Sequence, residues 1–199
     1  EVLDIFDALF DGRDRGVRFR VEHAQHIDPS DIGRFARLGV IASVQGIHMS
    51  SDRPWAIDRL GAERVESGAY MWRSLIDSGA VLVNGTDVPV EPADPFASFY
   101  ALVTRMTLQG MPDGGYEPAQ KITRIEALRA DTINPAFGAF EESFKGTLAP
   151  GMVADFVVLD RDIMTVPAAD ILQTKVLKTV MNGQVVYTIG DMINVDKES

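Results

Sequence analysis

Strand-like and helix-like segments alternate along the first half of the chain, and this alternation limits the folds that the chain can adopt. The strand-like segments are the alternating run Val17–Glu22, the buried run Val40–Gln45 and the strongly apolar run Ala80–Gly85. The helical patterns that flank and separate them cover about residues 2–10, 29–38, 63–78 and 95–108. Strands separated by helices favour parallel βαβ units, either in a barrel or in an open doubly wound sheet.

The second half of the chain has a different pattern. Thr123 and Glu126 form a capping box at the start of a helix over TRIEALRADTI. Beyond Asn134 and Pro135 the pattern predicts short strands and turns, including a strand pair in GTLAPGMVADFVVLD. The segment VLKTVMNGQVVY predicts a β-hairpin, with Asn182-Gly183 in a type I′ turn. We therefore predict an α/β domain over residues 1–140 and a small β domain over residues 141–199.

Composition excludes several classes of function. The 199 residues are 46% hydrophobic and 24% charged, as in ordinary globular domains. With 29 Asp and Glu against 19 Lys and Arg, and no basic cluster, the chain is not expected to bind nucleic acid. The absence of cysteine excludes disulfides, thiolate metal sites and a cysteine nucleophile. No apolar run approaches the roughly 20 residues of a membrane span, so we expect no membrane partner. We also expect a cytoplasmic location.

The start of the chain and the number of strands bear on completeness. The sequence begins with Glu1 inside a helical pattern, which predicts a piece of a longer protein or a processed product. A complete (β/α)₈ barrel needs about 250 residues, whereas only three strands are predicted here. If the α/β domain belongs to a barrel, most of that barrel is expected outside this chain.

Three positions that can carry chemistry follow the predicted strands. They are His23, the segment Gln45–His48, and Asp87. Because catalytic groups of α/β folds lie at the carboxyl ends of parallel strands, these side chains are expected to converge. His23 is either a histidine bonded to its neighbours or a ligand for zinc or a related ion. Asp87 is either a turn residue that caps its own backbone or a metal ligand and proton acceptor.

The other two histidines are less informative. His48 lies in a polar segment, Gly46 to about Gly61, that predicts a loop, so substrate contact and surface exposure are both open. His26 is interpreted as incidental to the helix start at Asp28-Pro29. The sequence has no Gly-rich phosphate loop, no G-x-S-x-G and no H-E-x-x-H.

Four segments together resemble the amidohydrolase superfamily, in particular its YtcJ-like branch: RVEHAQHI, GTDVPV, KGTLAPGMVADFVVLDRD and VMNGQVVY. The resemblance runs from about Glu1 to Tyr187. It implies a metal-dependent (β/α)₈ barrel with a β-sandwich built from both chain ends. Val17–Glu22, Val40–Gln45 and Ala80–Gly85 would be strands six to eight, and residues 146–187 would belong to the sandwich.

The resemblance also implies roles for individual residues. His23 matches the strand-six metal ligand, and Asp87 matches the strand-eight aspartate that binds metal and transfers a proton. The implied reaction is hydrolysis of an amide, cyclic amide or ester by metal-activated water, with zinc as the expected ion. Gln45 and His48 are expected to contact a small-molecule substrate. Gly46 stands where relatives often have proline, and the remaining metal ligands are expected upstream of residue 1.

Two functions are therefore compared. The first is the C-terminal portion of a metal-dependent hydrolase, inactive as this chain alone. The alternative is a non-catalytic protein that binds a small molecule or has a regulatory role on the same scaffold. An open flavodoxin-like domain is a third, weaker interpretation. Unpaired strand edges predict association with the missing N-terminal half or with a second copy as a homo-oligomer.

Overall fold

The computed structural model describes residues 1–190, which form two small sheets with helices around the first. The helices are α1 (Val2–Phe10), α2 (Ile32–Leu38), α3 (Gly46–Leu60), α4 (Ala62–Gly68), α5 (Trp72–Asp77), α6 (Pro95–Thr104), α7 (Arg124–Asp131), α8 (Ile133–Gly138) and α9 (Ala168–Ile171). The strands are β1 (Arg20–Val21), β2 (Ile41–Val44), β3 (Leu82–Asn84), β4 (Phe156–Leu159), β5 (Val176–Met181) and β6 (Gln184–Thr188). The α/β fold class is confirmed.

The first sheet is parallel, with the strand order β1-β2-β3. All four residues of the central strand β2 are buried, which explains its continuous apolar sequence. Strand β1 is shorter than the predicted Val17–Glu22. Its ends are set by Arg18 and His23, whose φ angles of 52° and 54° are left-handed and interrupt the extended backbone.

The helices cover one face of this sheet and enclose the core. Ala42 and Leu82, neighbours across β2 and β3, pack in one cluster with Leu38, Leu75 and Leu102 from three helices. Local signals set several helix ends. Gly39 ends α2 with a φ of 63°, and the Asp94 carboxylate accepts the Phe96 N–H at 2.9 Å to begin α6.

The segment Gly46–Gly61 was predicted as a loop, and that prediction is wrong. Residues 46–60 form the 15-residue helix α3, with Pro54 inside it. Pro54 lacks an N–H and polar residues precede it, so the sequence carries little helical signal. The helix predicted over residues 63–78 is two helices, α4 and α5, separated at Tyr70, where φ is 55°.

Helix α8, which the sequence pattern missed, lies at the amino-terminal end of the parallel sheet. The Asn134 amide donates a hydrogen bond of 2.8 Å to the Leu82 carbonyl of β3. The Arg18 guanidinium lies over the Phe137 and Phe140 rings, 3.7 and 4.2 Å from their centroids. Helix α8 therefore covers the end of the sheet opposite the predicted site.

The second sheet is antiparallel, with the order β4-β5-β6. The β5-β6 hairpin is confirmed, with Asn182 and Gly183 at φ angles of 49° and 75°. Of the strand pair predicted around Pro150-Gly151, only β4 forms. The domain boundary at residue 140 stays a prediction, and residues 191–199 of the β domain lie outside the described residues. Within residues 1–190, every helix is too short or too polar to cross a membrane.

Candidate metal and active site

Three predicted site residues converge at the carboxyl end of the parallel sheet. His23 follows β1, His48 lies just after β2, and Asp87 follows β3. The Asp87 Oδ2 atom lies 3.8 Å from His23 Nδ1 and 3.7 Å from His48 Nε2. One potential ligand atom from each residue falls within 4.8 Å of the others, which makes this the one such group found in residues 1–190.

His23 is held by Gln45. The His23 Nδ1 atom lies 2.9 Å from Gln45 Oε1. Because a carbonyl oxygen only accepts hydrogen bonds, this contact places the proton on Nδ1 and leaves the lone pair on Nε2. The Gln45 side chain, expected from the sequence to contact substrate, contacts the predicted metal ligand instead in this structure. Its predicted substrate contact remains a prediction.

His48 is the buried member of the group. It is 7% exposed, and its Nε2 atom has no hydrogen-bond partner among the described residues. Leaving such a buried group unpaired costs roughly 1–3 kcal/mol. The sequence pattern missed the burial because it placed His48 in a loop rather than in the first turn of α3.

Asp87 occupies a turn with a left-handed φ of 59°. Its carbonyl accepts the Val90 N–H at 2.8 Å, so the backbone of the turn is hydrogen-bonded to itself. Among residues 1–190 the carboxylate accepts no backbone hydrogen bond, and it lies near both imidazoles, with its side chain 33% exposed. His23 and Asp87 thus both have backbone conformations that are uncommon outside glycine and that cluster at functional sites.

These three side chains fit a divalent metal ion. Two imidazoles and one carboxylate form a donor set used by catalytic zinc and related ions. The buried Nε2 atom of His48 has no hydrogen-bond partner among the described residues, and a bound ion nearby would offset that cost. The Asp87 side chain is about one-third exposed, which leaves the three-residue group accessible to a small molecule from solvent.

A second set of contacts ties the ends of β2 and β3 together. The Asn84 Oδ1 atom accepts the Gly46 N–H at 2.9 Å, and its amide donates to the Asp131 carboxylate at 2.7 Å. Burial raises the pKa of the Asp131 carboxyl to about 6, and the Asn84 hydrogen bond only partly opposes this. Sequence reasoning missed Asn84 and Asp131; the polar residue that ends the apolar run before Gly85 was the available signal for Asn84.

His26 does not join the group. Its backbone pairs with Ala69 in an isolated bridge, and its ring meets the Tyr70 ring edge-on at 5.7 Å. Burial lowers the pKa of the His26 imidazole. This placement agrees with its interpretation as incidental to the nearby helix start, where the Asp28 carboxylate accepts the Ser30 N–H at 2.9 Å.

Comparison with known proteins identifies the family of this chain. The sequence profile of the Amidohydrolase family matches residues 1–187. The chain is 35% identical over 187 residues to Protein LONG AFTER FAR-RED 3 of Arabidopsis thaliana, covering 94% of this chain and 32% of that protein. It is 34% identical over 172 residues to the YtcJ protein of Bacillus subtilis, covering 86% and 32%. N-substituted formamide deformylase of Arthrobacter pascens is 28% identical over 187 residues, covering 94% and 34%.

Solved structures agree with the sequence relatives. A metal-dependent hydrolase from Pyrococcus horikoshii has a TM-score of 0.70 at 33% identity, covering 84% of this chain and 32% of that one. An adenosine deaminase from Xanthomonas campestris with bound zinc has a TM-score of 0.66 at 17% identity, covering 98% and 42%, and shows similarity of fold alone. The chain spans about a third of the length of the curated relatives it matches. Its resemblance to the YtcJ-like branch is confirmed, and the chain belongs to the amidohydrolase family.

Proposed function

We propose that this chain is the C-terminal portion of a metal-dependent hydrolase that cleaves C–N bonds of amides or cyclic amides, or ester bonds. The observation that carries the proposal is the convergence of His23, His48 and Asp87 at the ends of three adjacent parallel strands. Membership of the amidohydrolase family supports hydrolysis, and the formamide deformylase relative supports a C–N bond in a small molecule.

We assign β1, β2 and β3 to strands six, seven and eight of a (β/α)₈ barrel. The parallel order, the helices between the strands and the similarity to a metal-dependent hydrolase of known structure support this assignment. The antiparallel sheet β4-β5-β6 is assigned to the β-sandwich, with the domain boundary near residue 140. Under this assignment α8 lies at the floor of the barrel and the His23–Asp87 site at its mouth.

The chemistry then divides between an ion and two residues of this chain. His23 and Asp87 would hold a divalent ion, with zinc as the expected metal. Bound there, such an ion would supply Lewis acidity, which lowers the pKa of a bound water toward neutrality. The Asp87 carboxylate is placed to accept a proton from the attacking water as a general base. The same carboxylate can then return that proton to the leaving nitrogen or oxygen.

The partner that this chain requires is the remainder of the protein or a second copy. Within the described residues, β1 and β3 each pair with β2 alone, so both edges of the parallel sheet lack a neighbouring strand. An open groove of about 830 Å³ between α7, α8 and β4 is lined by the exposed apolar side chains of Ile125 and Leu148. Covering these surfaces and supplying further ligands would both require additional chain, so this chain alone is proposed to be inactive.

The proposal is tested on the protein that contains this chain. Metal content is measured together with hydrolysis of an N-acyl amide, a cyclic amide and an ester. We expect a stoichiometric divalent ion, and a loss of about 10²–10⁴-fold in kcat for Asp87→Asn, the range for removing a general base. The exposed acid Asp113, changed to Asn, serves as the matched control and should leave kcat unchanged. A metal-free protein whose activity survives Asp87→Asn would refute the proposal.

A further inference from the structure

We infer that Gln45 is a positioning residue, whose side-chain oxygen holds the His23 imidazole apart from the Asp87 carboxylate and so keeps both side chains available to the ion. The inference rests on the proposed function and deepens it, because it concerns how two proposed ligands are kept in place. The ligands that the rest of the protein is proposed to supply are not affected by it.

Two acceptors lie near the same nitrogen of His23. The Gln45 Oε1 atom is 2.9 Å from His23 Nδ1, and the Asp87 Oδ2 atom is 3.8 Å from it. Only the first of these distances is a hydrogen bond. A carboxylate is nevertheless the stronger acceptor, because a hydrogen bond to an ionised group is roughly twice as strong as one between neutral groups. Without the Gln45 oxygen, the Nδ1 proton would therefore be donated to Asp87.

A hydrogen bond between His23 and Asp87 would engage both proposed ligands at once. It would have to be broken before the two side chains could bind the ion together, and this cost would appear as weaker binding. The contact with Gln45 avoids the cost, since it holds the Nδ1 proton and leaves a lone pair on Nε2. Histidines that bind metals commonly donate their other N–H to an oxygen in this way.

The backbone next to His23 is fixed, but little else directs the ring. The Ala24 N–H donates to the Ser43 carbonyl of β2 at 2.9 Å. The His23 side chain is 53% exposed, and the His48 ring stacks on it loosely, with 6.1 Å between the centroids. Within residues 1–190, the contact with Gln45 is the one hydrogen bond that the His23 ring makes. This contact therefore determines the direction of the ring.

Gln45 has the fixed surroundings that a positioning residue needs. It directly follows β2, which is buried and paired with a strand on both sides, and it is 9% exposed. Its carbonyl accepts the His48 N–H at 3.1 Å, and the next N–H, that of Gly46, donates to the Asn84 side chain. The Gln45 oxygen thus reaches His23 from a rigid part of the chain, as precise placement of a ligand requires.

The inference is tested with variants of the protein that contains this chain. Gln45→Leu removes the acceptor, and Gln45→Glu keeps an oxygen for His23. Gln120→Leu is the matched control, because Gln120 is also partly buried but its side chain bonds Ser74. Far-UV circular dichroism establishes that each variant is folded, and Gln45→Met, which also lacks an oxygen, replaces the leucine variant if that one unfolds.

Two quantities are measured on each variant. Competition with a chelator gives the affinity for Co²⁺, and crystals of the metal-free protein give the distance between His23 Nδ1 and Asp87 Oδ2. We expect Gln45→Leu to lower the affinity by about 10–100-fold, the range for loss of an outer-shell partner. In its crystals the two atoms should lie within about 3.2 Å, the limit of a hydrogen bond. Gln45→Glu and Gln120→Leu should match the parent in both quantities.

The inference is overturned if Gln45→Leu binds Co²⁺ as tightly as the parent, or if His23 and Asp87 stay apart in its crystals. It is also overturned if Gln45→Glu loses the ion as Gln45→Leu does, since the acceptor oxygen would then not be what matters. In each of these cases the parent still binds the ion and the proposed function stands. A folded parent protein that binds no divalent ion contradicts the proposed function and the inference with it.

Discussion

At the scale of single residues, the buried carboxyl of Asp131 supports the site through its contact with Asn84. Its carboxylate accepts the Asn84 amide, and Asn84 in turn holds the Gly46 N–H at the start of α3. Burial raises the pKa of the Asp131 carboxyl from 3.8 to about 6. Folding therefore disfavours the charged form of Asp131 relative to the unfolded chain, although Asn84 donates a hydrogen bond to it.

This shift predicts a stability that falls as the pH rises. Because the folded pKa lies above the unfolded value, the stabilising contribution is complete below about pH 4 and lost as the pH rises through about 6. A shift of that size corresponds to about 3 kcal/mol. We expect Asp131→Asn, which can still accept from Asn84, to remove this dependence in urea unfolding at pH 4 to 7. The Asp113→Asn variant, changed at an exposed residue, should keep this pH dependence. Equal slopes of unfolding free energy against pH for Asp131→Asn and the parent chain would contradict this explanation.

Glu126 predicts a pH dependence of stability with the opposite sign. Hydrogen bonds from the Arg73 guanidinium lower the pKa of the Glu126 carboxyl from 4.5 to about 2. Its stabilising contribution is therefore present above about pH 4.5 and lost as the pH falls toward 2. Gln keeps the capping box with Thr123, so Glu126→Gln isolates the ion pair. We expect a loss of about 1–2 kcal/mol at pH 7, reduced for the partial exposure of both side chains.

The unfolding free energies of the parent chain and Glu126→Gln should converge as the pH approaches 2. Chemical denaturation at four pH values between 2.5 and 7 measures this convergence. A constant difference across that range would show that Glu126 acts through the cap or through packing rather than through its charge.

At the scale of elements, the start of α3 decides where His48 lies. A Cβ atom at Gly46 would come within 2.5 Å of the Ser98 carbonyl and 2.8 Å of the Leu102 side chain. The first of these neighbours is backbone and cannot move alone, so the helix itself would have to shift. Glycine at this position lets α3 begin in contact with α6.

We therefore expect Gly46→Ala to move His48 away from Asp87. In the protein that contains this chain, the affinity for Co²⁺ should fall by at least about tenfold, as for loss of a supporting contact, and thermal unfolding should occur at a lower temperature. Gly33→Ala is the matched control, because a Cβ at that helical glycine meets nothing within 4 Å. Unchanged Co²⁺ affinity of the Gly46→Ala protein would show that the start of α3 does not support the metal site.

The elements also show where sequence reasoning succeeds and where it stops. The Asn182-Gly183 hairpin and the Thr123 capping box were predictable because their signals are local. Helices α3 and α8 were missed because each contains a proline, Pro54 or Pro135, that reads as a break. Pro135 is tolerated because it lies in the first turn, where its missing N–H has no intrahelical partner.

The same limit applies to the site. His23 and Asp87 were predicted because each follows a strand, and the carboxyl ends of parallel strands meet at one edge. The burial of His48 and the bond from Gln45 to His23 depend on α3 packing against α6 and β3. Those contacts join residues about 40 to 50 positions apart in the chain, and no local pattern in the sequence encodes them.

At the scale of the whole molecule, exposed apolar surface predicts association. Val157 and Val158, which point to opposite faces of β4, are 51% and 40% exposed. Together with the two edges of the parallel sheet, they leave surfaces that a stable isolated domain would normally cover. The missing portion of the protein is proposed to cover them, and a second copy is the alternative occupant.

We expect the isolated chain to self-associate in sedimentation velocity at micromolar concentration. Val157→Lys and Val158→Lys, tested separately, should reduce that association, while Ile5→Lys on the exposed side of α1 provides a control for added charge. A compact monomer of 21.8 kDa over the whole concentration range would contradict the proposed partners.

Anomalous diffraction can locate the divalent ion that His23 and Asp87 are proposed to hold at the carboxyl end of the parallel sheet. Crystals of the protein that contains this chain, grown with Zn²⁺, are measured on both sides of the zinc absorption edge. We expect a strong anomalous peak in contact with the side chains of both His23 and Asp87. A peak elsewhere, or none at the end of the parallel sheet, would contradict it.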